Sequence, residues 1–165
     1  MEQKYVINET LNRIEPLEKK CSYCRKKEMS LMDSCFYETL YLEHDRSNYV
    51  VFRNVKFNKV SIGVPRCENC KSIHEEAETK AKKYIFIAAG IILFLPMLLS
   101  LSFDAFTSGV APALIVLIAG FLFKNYIVEK IVINTDILSE KDGAAYSVIV
   151  QDFLEGGWQY KKPEA

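Results

Sequence analysis

The chain has 165 residues, half of them apolar, with 21 Lys and Arg balanced by 21 Asp and Glu. That balance excludes the basic excess of a nucleic-acid binder, and five cysteines in this length are not the dense, even-numbered set of a secreted disulfide scaffold. The average hides segregation: residues 1–83 carry 16 Lys and Arg against 13 Asp and Glu, residues 124–165 carry 5 against 7, and between Lys83 and Lys124 the only charged side chain is Asp104.

Residues 1–20 mix Glu, Lys and Arg with scattered aliphatic residues and do not read as a signal peptide. Ile7, Leu11 and Ile14 stand at three- and four-residue spacing, which suits a weak amphipathic helix or a frayed end.

Residues 21–75 begin and end on paired cysteines. Cys21-Ser22-Tyr23-Cys24 and Cys67-Glu68-Asn69-Cys70 each put two thiols on one tight turn, so that both sulfurs can approach one cation at about 2.3 Å. Between the pairs, the run from Cys35 to Leu42 is aromatic and β-prone, His44 to Asn48 reads as a turn, and the stretch from Tyr49 to Val64 alternates as strands do. A small β-meander is expected. Cys-x-x-Cys turns on either side of strands resemble a zinc ribbon, and the resemblance implies one structural zinc held by Cys21, Cys24, Cys67 and Cys70. It departs from that pattern in two ways: Arg25 and Lys71 stand where a glycine usually follows the second cysteine, and the gap between the pairs is long. The missing glycines also count against rubredoxin-like iron, which would use the same four ligands. A segment this small has little area for an independent core, so a metal would supply folding free energy.

Cys35, at the head of an apolar strand, reads as a buried small hydrophobe, and His74 as a solvated helix residue; either would be a replacement ligand only if one of the four thiols were not used.

Residues 76–128 form the charge-poor part. A juxtamembrane helix from Ile73 to Lys83 leads into a run at 84–103, and a second run lies at 107–124; at about 1.5 Å per residue each approaches the roughly 30 Å of a bilayer core. The short link at 104–108 makes them antiparallel neighbours, packed through Ala88, Ala89, Gly90, Ala113 and Gly120. Lys80, Lys82, Lys83, Lys124 and Lys130 flank the pair, while the link carries no Lys or Arg, so both termini are expected in the cytoplasm. Without intramembrane charge, two such spans would line a pore only as a homo-oligomer.

In the tail, 129–165, the stretch 126–134 reads equally as helix or strand, and 144–154 places Tyr146, Ile149, Val150 and Phe153 on one helical face, ended by Gly156-Gly157. Trp158 then either docks on that helix or sits at a headgroup interface.

The expected fold class is an α+β membrane protein: a zinc-stapled antiparallel β domain, a two-helix transmembrane hairpin and a short C-terminal amphipathic helix. This layout resembles small bacterial membrane proteins of uncharacterised function, which implies a bacterial inner membrane. There is no phosphate-cradling glycine loop, no nucleophile–base pattern, and only His44 and His74 would titrate near neutrality, so catalysis is not expected. The function expected is a membrane-anchored, cytoplasm-facing zinc module that meets the lipid bilayer and a protein partner; the alternative is a membrane thiol-disulfide redox protein using the Cys-x-x-Cys pairs.

Overall fold

A computed structural model describes residues 4–48, 53–100 and 104–164. The chain divides into two units: residues 1–71 with 138–165, and residues 72–137.

The first unit is built on a four-stranded sheet of order β1-β2-β4-β3, with β1 at Tyr5–Asn8, β2 at Arg13–Pro16, β3 at Phe36–Asn48 and β4 at Arg53–Val64. The N-terminal stretch is thus a β-hairpin and not a helix. Of the three aliphatic residues that suggested helical spacing, Ile14 is buried, whereas Ile7 and Leu11 face solvent, so a period of two outweighs the apparent period of three to four. β3 and β4 form a long antiparallel hairpin from Phe36↔Val64 to Asn48↔Arg53. The strand runs straight through the polar stretch expected as a turn and takes up the irregularity as a bulge between Glu43 and Asp45. The hairpin tip, including part of the expected strand from Tyr49, lies outside the described residues. β2 pairs with β4 in parallel, so the sheet is mixed where an antiparallel meander was expected. Leu40, Ile62 and Val64 are fully buried at its centre.

The tail returns to this sheet. The helix expected at 144–154 is two helices, α4 (Glu140–Ala145) and α5 (Val148–Glu155), because Ser147 is extended and starts a new helix. Tyr146, placed on the apolar face by periodicity, falls at that break and is exposed, while Ile149 and Val150 are buried. Ser139 caps α4, accepting from the Asp142 N–H and donating to its carboxylate. Gly157, at φ 89°, turns the chain after α5. Trp158 docks edge-on against Phe153 at 5.6 Å, and Gln159 exchanges two backbone hydrogen bonds with Tyr41 of β3.

The second unit is helical. α1 (Glu68–Ser100) starts at the second cysteine pair and continues past Ser72 into this unit, followed by α2 (Asp104–Leu122) and α3 (Lys124–Ile133), the last resolving the ambiguous stretch at 126–134 as helix. α1 and α2 run antiparallel: Gly120 backs onto Ile85, Phe86 meets Phe121 at 5.9 Å, and Gly109 backs onto the Leu93 carbonyl. Of the small residues expected at this contact, Ala89 and Ala113 are buried and Gly120 is in contact, but Ala88 is exposed and no described residue approaches Gly90. Lys124 pairs with Glu78 at 2.7 Å.

The transmembrane hairpin of the expected fold class is overturned. Among the described residues no single helix is long and apolar enough to cross a membrane; only the bent combination of Gly109–Leu122 with Lys124–Ile133, which meet at 60°, passes on length and composition. The physical reason is where the backbone starts and breaks. α1 spends its first half on the charged stretch up to Lys83, the last residues of the expected first run (101–103) lie outside the described residues, and Phe123 interrupts the second run before Lys124. Residues 104–108, expected as the link, already belong to α2. What the sequence marks correctly is an apolar surface. Leu98, Leu99, Ile115, Ile118 and Leu122 are 63–78% exposed.

Candidate metal centre

Cys21, Cys24, Cys67 and Cys70 come together, their sulfurs all within 4.8 Å of one another. Two approaches run between the pairs: Cys21 Sγ to Cys70 Sγ and Cys24 Sγ to Cys67 Sγ, both 3.8 Å. A tetrahedron with metal–sulfur bonds of about 2.3 Å has edges of about 3.8 Å, which these two separations match. Four thiols in this cluster can hold a metal ion.

The two pairs are positioned differently. Both close with the same bond, Arg25 N–H to the Cys21 carbonyl and Lys71 N–H to the Cys67 carbonyl, each 3.0 Å. After Cys24 the chain leaves through Arg25 at φ 55°, the left-handed region that favours glycine, and folds back so that Cys21 N–H bonds the Lys27 carbonyl and Met29 N–H the Lys19 carbonyl. After Cys70 the chain stays helical, because Cys67 and Cys70 stand at the first turn of α1. One turn and one helix start therefore hold the cluster, where a ribbon would use two turns. This explains both missing glycines. Arg25 takes the glycine conformation at a cost, and Lys71 has no need of it. Ser22 N–H ties the first turn to the Pro65 carbonyl at 2.9 Å, just before the second pair.

Tyr23, between the first two cysteines, is 2% exposed and packs against Gly143 of α4, and its carbonyl accepts from Leu138 N–H. Burial pushes its hydroxyl pKa up. Arg66, also buried, donates from Nε to the Ser34 carbonyl and from Nη1 to Glu140, linking the approach to the second pair with α4. Neither Tyr23 nor Arg66 carries a sequence signal of its role, since one reads as a spacer and the other as a surface cation.

The thiols differ in acidity. Burial opposes ionisation of Cys24, but the amides of Lys26 and Lys27 and the thiols of Cys21 and Cys70 outweigh it and pull the group down to about 7 from an ordinary 9. Burial pushes Cys67 and Cys70 up, and the neighbouring thiols push Cys70 further. Without a cation, four thiolates this close would repel one another and lack water; a divalent ion offsets both costs.

Cys35 is outside the cluster and buried, donating to Met29 Sδ at 3.0 Å, with its thiol pushed up to about 11 by burial. It is core, as expected. His74 is also outside the four-thiol cluster, but it is buried, where a solvated residue was expected.

No family model, no curated protein and no solved structure matches this chain.

Proposed function

We propose that the chain is a lipid-associated zinc module: one structural Zn²⁺ on Cys21, Cys24, Cys67 and Cys70 rigidifies the first unit, which then presents a fixed surface to a protein partner. The observation that carries this reading is the pair of 3.8 Å sulfur edges, which match the tetrahedral geometry preferred by zinc. A site closed by four thiolates leaves no position for substrate, so its role is to hold shape. The thiols must stay reduced to bind the ion, and a reducing compartment such as the cytoplasm would keep them so.

Lipid is the neighbour that the second unit calls for. Apolar side chains face outward on both long helices, among them Ile91, Phe94, Leu95, Leu114 and Phe121, and Tyr84 and Tyr126 stand beside Lys83 and Lys124 at the ends of this surface, an arrangement suited to headgroups. Association with lipid does not require any one helix to cross.

The test is metal analysis of the protein purified in mild detergent without added metal, beside a Cys67→Ser/Cys70→Ser variant. About one zinc per chain, lost in the variant, supports the reading; metal-free protein that folds identically would remove its basis. Co-flotation with phosphatidylcholine vesicles checks the lipid part, and protein that stays unbound in the absence of detergent would refute it.

The lowered pKa and half-buried position of Cys24 favour a second reading, thiol-disulfide exchange in the metal-free form. A disulfide between the pairs in freshly isolated, metal-free protein would select it.

A further inference from the structure

A cleft of about 270 Å³ opens in the first unit beside the first cysteine turn, lined by Lys20, Ser22, Arg25 and the start of α5 at Ser147 and Val148, among others. We infer that it binds an oxyanion, specifically a phosphate group.

Four observations converge on this. The backbone N–H groups of Val148, Ile149 and Val150 precede the first hydrogen bond of α5, from Gln151 N–H to the Ser147 carbonyl, and reach no carbonyl among the described residues. These are the donors that a helix start offers to an anion. Ser147, at the cap position, is 5% exposed as a residue and lines the cleft, and its hydroxyl neither caps the helix nor bonds any other described group, so a largely buried side chain keeps an accessible, unpartnered hydroxyl. α5 has no acidic residue in its first turn to complement its dipole. Finally, Lys20 and Arg25 line the cleft against a single carboxylate, Glu18, and neither cation forms an ion pair with a described residue; Arg25 lies 5.5 Å over the ring of Tyr146, which also lines the cleft.

Apart from the Glu18 carboxylate, the polar groups that lack hydrogen-bond partners here can all donate: amides, the hydroxyls of Ser22 and Ser147, a guanidinium and an ammonium. A phosphate group, with a charge between −1 and −2, satisfies them and outweighs Glu18. The group could arrive on free phosphate or on a lipid headgroup, and the chemistry of recognition is the same.

The site depends on the zinc reading only in that the cysteine turn carries Ser22 and Arg25, so zinc content is measured on every sample. The zinc-loaded full chain in dodecyl maltoside is titrated by calorimetry with inorganic phosphate and with dihexanoyl phosphatidic acid, using dihexanoyl phosphatidylcholine as control. The variants are Ser147→Asp, which supplies the missing carboxylate from the cap position itself, and Arg25→Asn and Lys20→Gln, both at exposed positions, Asn tolerating the left-handed backbone at 25. Saturable binding that weakens roughly tenfold or more in Ser147→Asp or Arg25→Asn, with zinc content unchanged, supports the site. Tighter binding of the phosphatidic acid than of phosphate assigns the source to a headgroup, and equal binding assigns it to free phosphate. Should Ser147→Asp fail to hold zinc, Arg25→Asn and Lys20→Gln decide. Absence of saturable binding by zinc-loaded wild type, or binding indifferent to all variants that retain zinc, overturns the inference.

Discussion

Gly143→Ala should weaken metal binding although Gly143 is not a ligand. A Cβ at Gly143 would fall well inside contact with Cε1 and Cδ1 of the Tyr23 ring, and that residue is 2% exposed. Forcing a methyl into a packed site costs about 1–3 kcal/mol. Replacing glycine by alanine within a helix returns about 0.5–1 kcal/mol, leaving a net loss of up to about 2.5 kcal/mol. Because Tyr23 lies between Cys21 and Cys24, the ring cannot shift without moving the turn that aims their sulfurs. The loss should therefore appear in the apparent zinc dissociation constant, raised about tenfold for each 1.4 kcal/mol. Competition against a chromophoric chelator reads this directly, and a double-mutant cycle with Tyr23→Ala isolates it: with the ring removed, the penalty at 143 should vanish, giving a coupling of about 1–3 kcal/mol. Wild-type zinc affinity in Gly143→Ala, or additive effects in the cycle, would refute the idea that the tail supports the metal turn through this contact.

Arg66→Met should destabilise the zinc-loaded protein by about 2–3 kcal/mol in urea unfolding, because it removes at once a buried donor to the Ser34 carbonyl and the ion pair to Glu140. Glu140→Gln should cost about 1 kcal/mol or less, since that side chain is 42% exposed and its charge is screened; equal losses from the two variants would contradict this asymmetry. In metal-free protein, Cys24 should react with iodoacetamide with a midpoint near pH 7 while Cys35 stays inert until far higher pH, as read by peptide mass mapping. The folded-state pKa of Cys24 is depressed below 9, so its thiolate contributes stability that is complete above about pH 9 and is lost as pH falls through 7; metal-free protein losing stability on raising pH across this window would reverse the sign. Arg25→Gly should raise the urea midpoint of the zinc-loaded form, relieving left-handed strain of about 1–2 kcal/mol less about 0.5–1 kcal/mol of added chain entropy, and a lower midpoint would show that the side chain matters more than the backbone.

The metal ligands are legible in the sequence because donor identity and spacing are written directly in the chain: two Cys-x-x-Cys pairs specify where four sulfurs can meet. The scaffold around them is not. The same Cys-x-x-Cys spacing serves a reversing turn at Cys21 and a helix start at Cys67, and the difference lies in the residue after each pair: Arg25 enters the left-handed region and reverses the chain, while Lys71 continues into α1. A glycine at 25 would have announced the turn, and its absence conceals one. The tail hides its break for a related reason. Tyr146, Ile149, Val150 and Phe153 fit one helical face by period, yet Ser139 and Ser147 are each cap residues by type, and two caps eight positions apart mean two short helices. Periodicity identifies the buried pair Ile149 and Val150, whereas the cap residues locate the ends.

The second unit shows the limit of hydropathy in its sharpest form. A charge-free run reports that a segment is apolar, and apart from the break at Phe123 both runs are indeed helical where they are described. Crossing a bilayer asks for something else, an unbroken helix of about 20 apolar residues, because each break exposes backbone groups that hydrocarbon cannot satisfy. That condition depends on where Phe123 interrupts the helix and on how much of α1 is spent before Tyr84, neither of which a sliding average registers. The outward side chains remain a constraint whatever the helices span. Leu98, Leu99 and Leu122 are each more than 70% exposed, and large apolar side chains left outward in number are what the proposed contact with lipid would cover. Replacing Ile115 and Ile118 with aspartate places charge on that surface without touching the Gly120 to Ile85 contact, and it should abolish vesicle flotation while leaving zinc content intact. Flotation unchanged by these two charges would mean that this face of α2 does not meet lipid.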